Sequence, residues 1–152
     1  MYNDTNNFLV YGGIKFREGL SKHARGNWMA YANGPDGREV PFADQCGGTN
    51  NSFVGNTVIS GIGKFYGVCA HYSTSNRAIH VDIDHNTMYS PGAKFNDGGC
   101  NGGGVITDFA KWQKSGLGQD IHSHVYDLAT GLTSAALLRA GRGLLGMPVR
   151  EL

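Results

Sequence analysis

Apolar and polar residues alternate most regularly where Ile79, Val81 and Ile83 interleave with His80, Asp82 and Asp84. A period of two is the pattern of a strand with one buried and one solvated face. The segment Asn50-Asn51-Ser52-Phe53-Val54-Gly55-Asn56-Thr57-Val58 aligns without gaps on residues 80–88, thirty positions later, matching Phe53 with Ile83, Asn56 with Asn86, Thr57 with Thr87 and Val58 with Met88. A shorter copy, Thr5-Asn6-Asn7-Phe8-Leu9-Val10, lies 44 positions before Thr49-Asn50-Asn51. Uneven spacing with a retained pattern predicts stacked strand units with inserted loops. Each strand runs into Asn or Gly, and Asn both tolerates left-handed backbone and offers an amide to neighbouring peptide groups. Asn56 is therefore predicted to stack on Asn86, with Phe53, Val58, Ile79, Val81 and Ile83 pointing inward. Two unrelated hairpins sharing an Asn-Thr turn would give the same local pattern.

Short strands are also expected within 28–32 and 64–71, with Gly-rich breaks at 34–37, 47–48 and 98–104. From residue 105 the pattern changes. Residues 108–114 can form about two helical turns capped by Asp108, with Phe109 and Trp112 on one face. Residues 133–141 read as a second short helix with a Ser or Thr start and a Gly stop. Nothing in composition separates the two regions, so residues 1–104 and 105–152 read as strand units and closing segment of one domain.

Composition narrows the class. The 24 Gly in 152 residues argue against a helical bundle, because Gly costs about 1 kcal/mol relative to Ala inside a helix. No apolar run approaches the roughly 20 residues of a membrane-spanning helix. Thirteen Lys and Arg against 12 Asp and Glu leave a formal charge of +1, which gives no electrostatic case for nucleic acid or an anionic membrane surface. Cys46, Cys69 and Cys100 lack the spacing of a zinc site, an odd count leaves one unpaired, and none has a His partner that would mark a nucleophilic thiol. Met1 is followed by the polar run Tyr2 to Asn7, which does not read as a signal peptide.

The Asn-rich pattern of residues 50–58 resembles that of right-handed parallel β-helix proteins of the pectate-lyase-like superfamily. So does the closing stretch Trp112-Gln113, Gly116, Asp120-Ile121-His122-Ser123, Asp127, Ser134-Ala135-Ala136-Leu137 and Gly141. Leu128 and Ala135 depart from the pattern, where such proteins often carry Pro. The resemblance implies an all-β solenoid, a right-handed parallel β-helix of about three to four coils with an irregular, short-helical C-terminal segment. It also implies a polysaccharide or oligosaccharide partner and an extracellular or cell-surface location. The first recognised strand unit begins close to Met1 and the sequence stops on Leu152, so the chain is expected to belong to a longer solenoid or to associate with itself through its ends.

Within that expectation, His80, Asp82 and Asp84 are the sharpest candidates for catalysis. Residues two apart on a strand lie roughly 6.5–7 Å apart on one face, a separation that suits the two carboxylates of an inverting glycosidase. Asp82 and Asp84 are also candidate oxygen ligands for Ca²⁺; a plain solvated strand face explains the same residues. Lys22, His23 and Arg25, with Lys15 and Arg17 nearby, have the chemistry to neutralise a uronate and remove its proton, or form a basic surface loop. His122 and His124 share a period-two face on which Asp120 would join them as metal ligands, although membership of the closing motif favours a structural, hydrogen-bonded role for His122. His85 reads as a turn residue outside the row. Trp28, Tyr72 and Tyr89, and also Tyr31 and Tyr66, could stack on sugar rings or pack in the core. The resulting expectation is a carbohydrate-active protein, a polysaccharide lyase or glycoside hydrolase. The alternative is a non-catalytic surface, adhesion or tailspike module, favoured if His80 and Asp82 lie on a flat open face.

Overall fold

Alternation becomes strand wherever the polar partner of each apolar residue can face outward, and among the described residues this happens twelve times in segments of three or four residues. The structure, a computed structural model, describes residues 2–10, 13–16, 21–30, 41–44, 50–68, 81–97, 106–114, 119–130, 139 and 142–143. The strands are β1 (Tyr2–Thr5), β2 (Phe8–Val10), β3 (Ile14–Phe16), β4 (Lys22–Arg25), β5 (Trp28–Ala30) and β6 (Phe42–Asp44), followed by β7 (Asn51–Val54), β8 (Thr57–Ile59), β9 (Tyr66–Val68), β10 (Val81–Asp84), β11 (Thr87–Ser90) and β12 (His124–Asp127). Among the described residues, one α-helix, α1 (Phe109–Gln113), lies between β11 and β12.

Every pairing between these strands is parallel, in sheets of four strands (β1-β4-β7-β10), five (β12-β11-β8-β5-β2) and three (β3-β6-β9). This corrects the expected right-handed parallel β-helix of three to four coils. The finding is a pair of parallel sheets of four and five strands with a shorter third, around one core. The closing segment accounts for part of the inequality, because it adds β12 to the five-stranded sheet alone, in register with β11 from Thr87 and His124 to Ser90 and Asp127. The three-stranded sheet ends at β9, beyond which a single bridge joins Lys64 to Asn96.

The alignment of residues 50–58 on 80–88 is the observed register: Phe53 pairs with Ile83 and Val58 with Met88. The alignment of the first copy is not. Asn7 stands on Asn27, since Phe8 pairs with Trp28, and Trp28 in turn with Thr57. The intermediate unit, β4 and β5, is only partly legible as strand, because Lys22-His23-Ala24-Arg25 contains one small apolar residue and gives the alternation little contrast.

Four asparagines join the layers at the corner between the four- and five-stranded sheets. The backbone N–H and the side-chain amide of Asn7 both donate to Asn27 Oδ1, at 2.9 and 3.1 Å. Asn27 does the same to Asn56 Oδ1 (both 3.0 Å), and Asn56 to Asn86 Oδ1 (2.9 and 3.2 Å). The amides of the last three also donate to the carbonyl of a residue on the preceding layer, Asn27 to Asp4, Asn56 to Ala24 and Asn86 to Phe53, while that of Asn7 donates to Asp4 Oδ1. Asn27, Asn56 and Asn86 are at most 1% exposed, so these bonds meet the requirement that buried polar groups be paired. The residue before each ladder Asn has a left-handed backbone: Asn6 (φ 56°), Gly26 (64°), Gly55 (67°) and His85 (56°).

Inside, Ala24, Phe53 and Ile83 form one column and Met29, Val58 and Met88 another, all at most 1% exposed. Phe42 stacks on Phe53 at 4.3 Å, and Tyr66 stands edge-on to both. Val81 is also buried; Ile79 lies outside the described residues. Trp112 of α1 closes the stack, 5.7 Å from the Tyr66 ring. The helix starts as expected, with Asp108 Oδ1 accepting from the Lys111 backbone N–H. The helix expected at 133–141 falls, apart from Arg139, outside the described residues.

The closing segment ends the ladder. Ser123 Oγ accepts from the Asn86 N–H (2.7 Å), and Asp120 Oδ1 from the Asn86 amide (3.3 Å). The Trp112 indole donates to Asp120 Oδ2 (2.8 Å), while the Gln113 amide donates to the Asp120 carbonyl (2.7 Å). The edge of β10 is met by Gln119, whose Oε1 accepts from Ile83 N–H and whose Nε2 donates to the Val81 carbonyl. Burial pushes the Asp120 carboxyl up to about 6, despite donors from Ser123, Trp112, Tyr66 and Asn86 that favour its charged form.

Two stability measurements check this account. Asn86→Ala leaves two buried donors of Asn56 unpaired and is expected to cost about 3 kcal/mol in urea unfolding, against less than about 0.5 kcal/mol for the exposed Asp82→Ala. The Asp120 carboxyl binds its proton more tightly in the folded chain than in the unfolded one. Its contribution to stability is therefore fully present below the ordinary value of 3.8 and is lost as pH rises to about 6, a change on the order of 2–3 kcal/mol. Urea melts across that range with a chelator present read it, and Asp120→Asn is expected to abolish this component.

Candidate functional site

The outward positions of the four-stranded sheet form two columns. Asn3, His23, Ser52 and Asp82 lie in one, and Thr5, Arg25, Val54 and Asp84 in the other. Two groups separated by some sixty positions in sequence, His23 with Arg25 and Asp82 with Asp84, therefore share one sheet face with β7 between them. At about 4.8 Å per strand, Asp82 is two strand spacings from His23. His80 lies outside the described residues, as do Arg17, Tyr31, Tyr72, Cys46, Cys69 and Cys100.

Asp82 is exposed, whereas Asp84 is half-buried and engaged. Asp84 Oδ1 accepts from the backbone N–H groups of His85 and His122, both at 2.8 Å. Its Oδ2 lies 2.7 Å from His122 Nδ1 and 3.3 Å from His85 Nδ1. Partial burial raises the carboxyl, but the side-chain and backbone bonds from His122 and the backbone bond from His85 outweigh it and hold Asp84 below its ordinary value. A carboxylate with both oxygens so occupied is a poor proton carrier, so Asp82 and Asp84 do not form an evident acid–base pair.

The imidazoles of His85 and His122 stack, with centroids 4.7 Å apart and planes 27° from parallel, and both are exposed. Asp84, His85 and His122 bring three metal-ligating side chains together, with one ligand atom of each within 4.8 Å of the others. Asp82 is not in that group. Asp120, read from sequence as lying beside His122 and His124, is buried against Trp112, because its left-handed backbone (φ 54°) breaks the extended run on which that placement depends. His124 instead lies 5.9 Å from the Tyr126 ring. Sequence reasoning places His85 in a turn, where it is, and outside the acidic row, which it joins through Asp84. The signal that could have found it is the repeat: positions 6, 26 and 55, equivalent to 85, carry Asn, Gly and Gly, so an imidazole there departs from what the turn favours.

The basic group divides. His23 Nδ1 lies 2.8 Å from Ser52 Oγ, which Arg25 also contacts at 3.4 Å through Nε and Nη2. Ser52 is 3% exposed, so the pair is closed to a substrate that would need the hydroxyl as nucleophile. Lys22 points the other way in the alternation and, with Asp4, Leu9, Ile14, Lys15 and Phe16, lines a cavity of about 360 Å³ at the β1 end of the sheets.

On the five-stranded sheet, Tyr89 of β11 and Tyr126 of β12 are register partners with ring centroids 5.6 Å apart. Tyr126 is 45% exposed, and Trp28 is half-buried on β5. Tyr66 is fully buried, its hydroxyl held well above the ordinary range by burial and by Asp120, so it belongs to the core. No family model, curated protein or solved structure matches the chain. Among the described residues no helix is long and apolar enough to cross a membrane.

Asp84 joins β10 to the closing segment, so Asp84→Ala is expected to cost about 1–3 kcal/mol. Because the folded-state carboxyl titrates below 3.8, the stability that Asp84 contributes is present above that value and lost as pH falls through its folded one. The difference between wild type and variant in urea melts should accordingly shrink at the acid end.

Proposed function

We propose that the chain binds a carbohydrate polymer along its outer strand faces and does not cleave it at Asp82 and Asp84. The aromatic strip on β11 and β12 carries the reading: Tyr89, Tyr126 and His124 place three rings side by side, with Tyr126 and His124 exposed. Parallel register spaces such rings along the sheet, and flat apolar faces with polar tips suit the stacked face and hydroxyl edge of a sugar. Around the corner, the open face bearing Asp82, His23 and Arg25 offers donors and acceptors to the hydroxyls of an extended chain. The resemblance of the closing segment to that of pectate-lyase-like proteins, which implies a polysaccharide partner, supports the same class of ligand. Binding is favoured over turnover by the engagement of both Asp84 oxygens and by the burial of Ser52.

Affinity electrophoresis through a panel of neutral and acidic polysaccharides tests the proposal, with unsaturated uronates and reducing ends followed in parallel. Retardation by at least one polymer is expected, without product. Tyr126→Ala should weaken it about tenfold, the equivalent of about 1.4 kcal/mol, with an unchanged unfolding midpoint because the ring is exposed. Retardation unaffected by loss of Tyr126 would remove the strip from the site, and release of sugar would restore the enzyme reading.

A further inference from the structure

We infer that Asp84, His85 and His122 form a binding site for a divalent first-row transition ion, with zinc as its representative. The donor set decides the class. Two imidazoles and one carboxylate are what zinc, nickel and copper take, whereas calcium requires six to eight hard oxygens. Asp82 and Asp84, the carboxylates suggested by sequence for Ca²⁺, stand two apart on β10 and are not both in this group.

The geometry is close to that needed. Ligand atoms about 2.0–2.2 Å from one tetrahedral ion lie roughly 3.4 Å from each other. His85 Nδ1 and Asp84 Oδ2 are already 3.3 Å apart. His122 Nδ1, at 2.7 Å from the same oxygen, has to withdraw by about 0.7 Å, and the stacked rings have to turn so that their nitrogen lone pairs converge. Both imidazoles are more than 60% exposed, so neither movement displaces packed atoms. The carboxylate is the fixed member: the backbone N–H groups of His85 and His122 hold its Oδ1 at 2.8 Å and leave Oδ2 facing the imidazoles. Three protein ligands at an exposed corner leave a position open to water or to a ligand's oxygen.

The backbone supplies an independent argument for His85. Its left-handed position is occupied by Gly at 26 and 55, and a Cβ added at Gly55 would meet nothing within 4 Å. The turn therefore favours Gly for conformation, and the His85 ring packs only on the exposed His122 ring and the Asp84 carboxylate that form the group itself. His85→Gly separates folding from binding, because it removes one ligand where glycine is conformationally preferred.

Isothermal titration of the chelator-treated protein with zinc chloride should give one site per chain, calcium chloride at the same concentration none, and cobalt(II) the intense visible absorption of a tetrahedral complex. His122→Ala and His85→Gly should each weaken zinc binding at least about tenfold, with His85→Gly unfolding at the same or a higher temperature than wild type. Zinc binding that survives both substitutions, no zinc binding to the wild-type chain, or calcium binding in its place would overturn the assignment. Polysaccharide retardation is read separately, so failure of the metal site and failure of carbohydrate binding are distinguishable.

Discussion

The fold depends on one requirement: every peptide group at the corner between the four- and five-stranded sheets must be paired although it is buried. Asparagine satisfies it because its side chain duplicates the donor and acceptor of a peptide. At Asn27 and Asn56 the carbonyl oxygen takes two donors from the layer before, while the amide reaches a backbone carbonyl there and the next asparagine. In a low-dielectric interior such bonds are strong when complete and costly when broken. A one-residue slip of β7 against β10 would withdraw Asn56 from Asn86 and turn Phe53 outward together, so the polar ladder and the apolar columns impose the same register.

A ladder of this polarity needs an acceptor at its far end, and the closing segment is organised around providing one. Ser123 and Asp120 receive the Asn86 N–H and one hydrogen of its amide, and Gln119 gives β10 a side-chain amide in place of a further strand. Trp112 does two things at once, covering the apolar stack at Tyr66 and donating its indole N–H to Asp120. The buried carboxylate is the cost of ending the ladder on an acceptor. Burial raises its pKa even with four donors around it.

The candidate metal group arises from the same closure. The left-handed turn before Asn86 swings His85 outward, and docking of Ser123 on Asn86 sets His122 beside it. Asp84, the last residue of β10, lies where the two meet. Asp82, two residues earlier on the same face, misses that corner and stays in the open column with His23. Two carboxylates that look equivalent in sequence are thus separated in role by the distance of one strand repeat.

Alternation and the thirty-residue match determined by themselves that residues 50–58 and 80–88 stack in one register, that Asn56 stands on Asn86, and that Asp108 caps a short helix carrying Trp112. Those features rest on local periodicity and on groups close in sequence. The sheets of four, five and three strands, the β4–β5 layer beneath Asn7, and the meeting of His122 with Asp84 and His85 were decided only in the tertiary structure. Lys22-His23-Ala24-Arg25 has too little apolar contrast to declare a strand until Phe53 covers Ala24. By periodicity Asp120 and His122 share a face, until a left-handed backbone at Asp120 turns one into the core and leaves the other on the surface. Strand periodicity fixes which side of a segment faces inward, but it cannot say which distant segment will supply the partner. That choice belongs to the packing of the core and the completion of the buried hydrogen bonds.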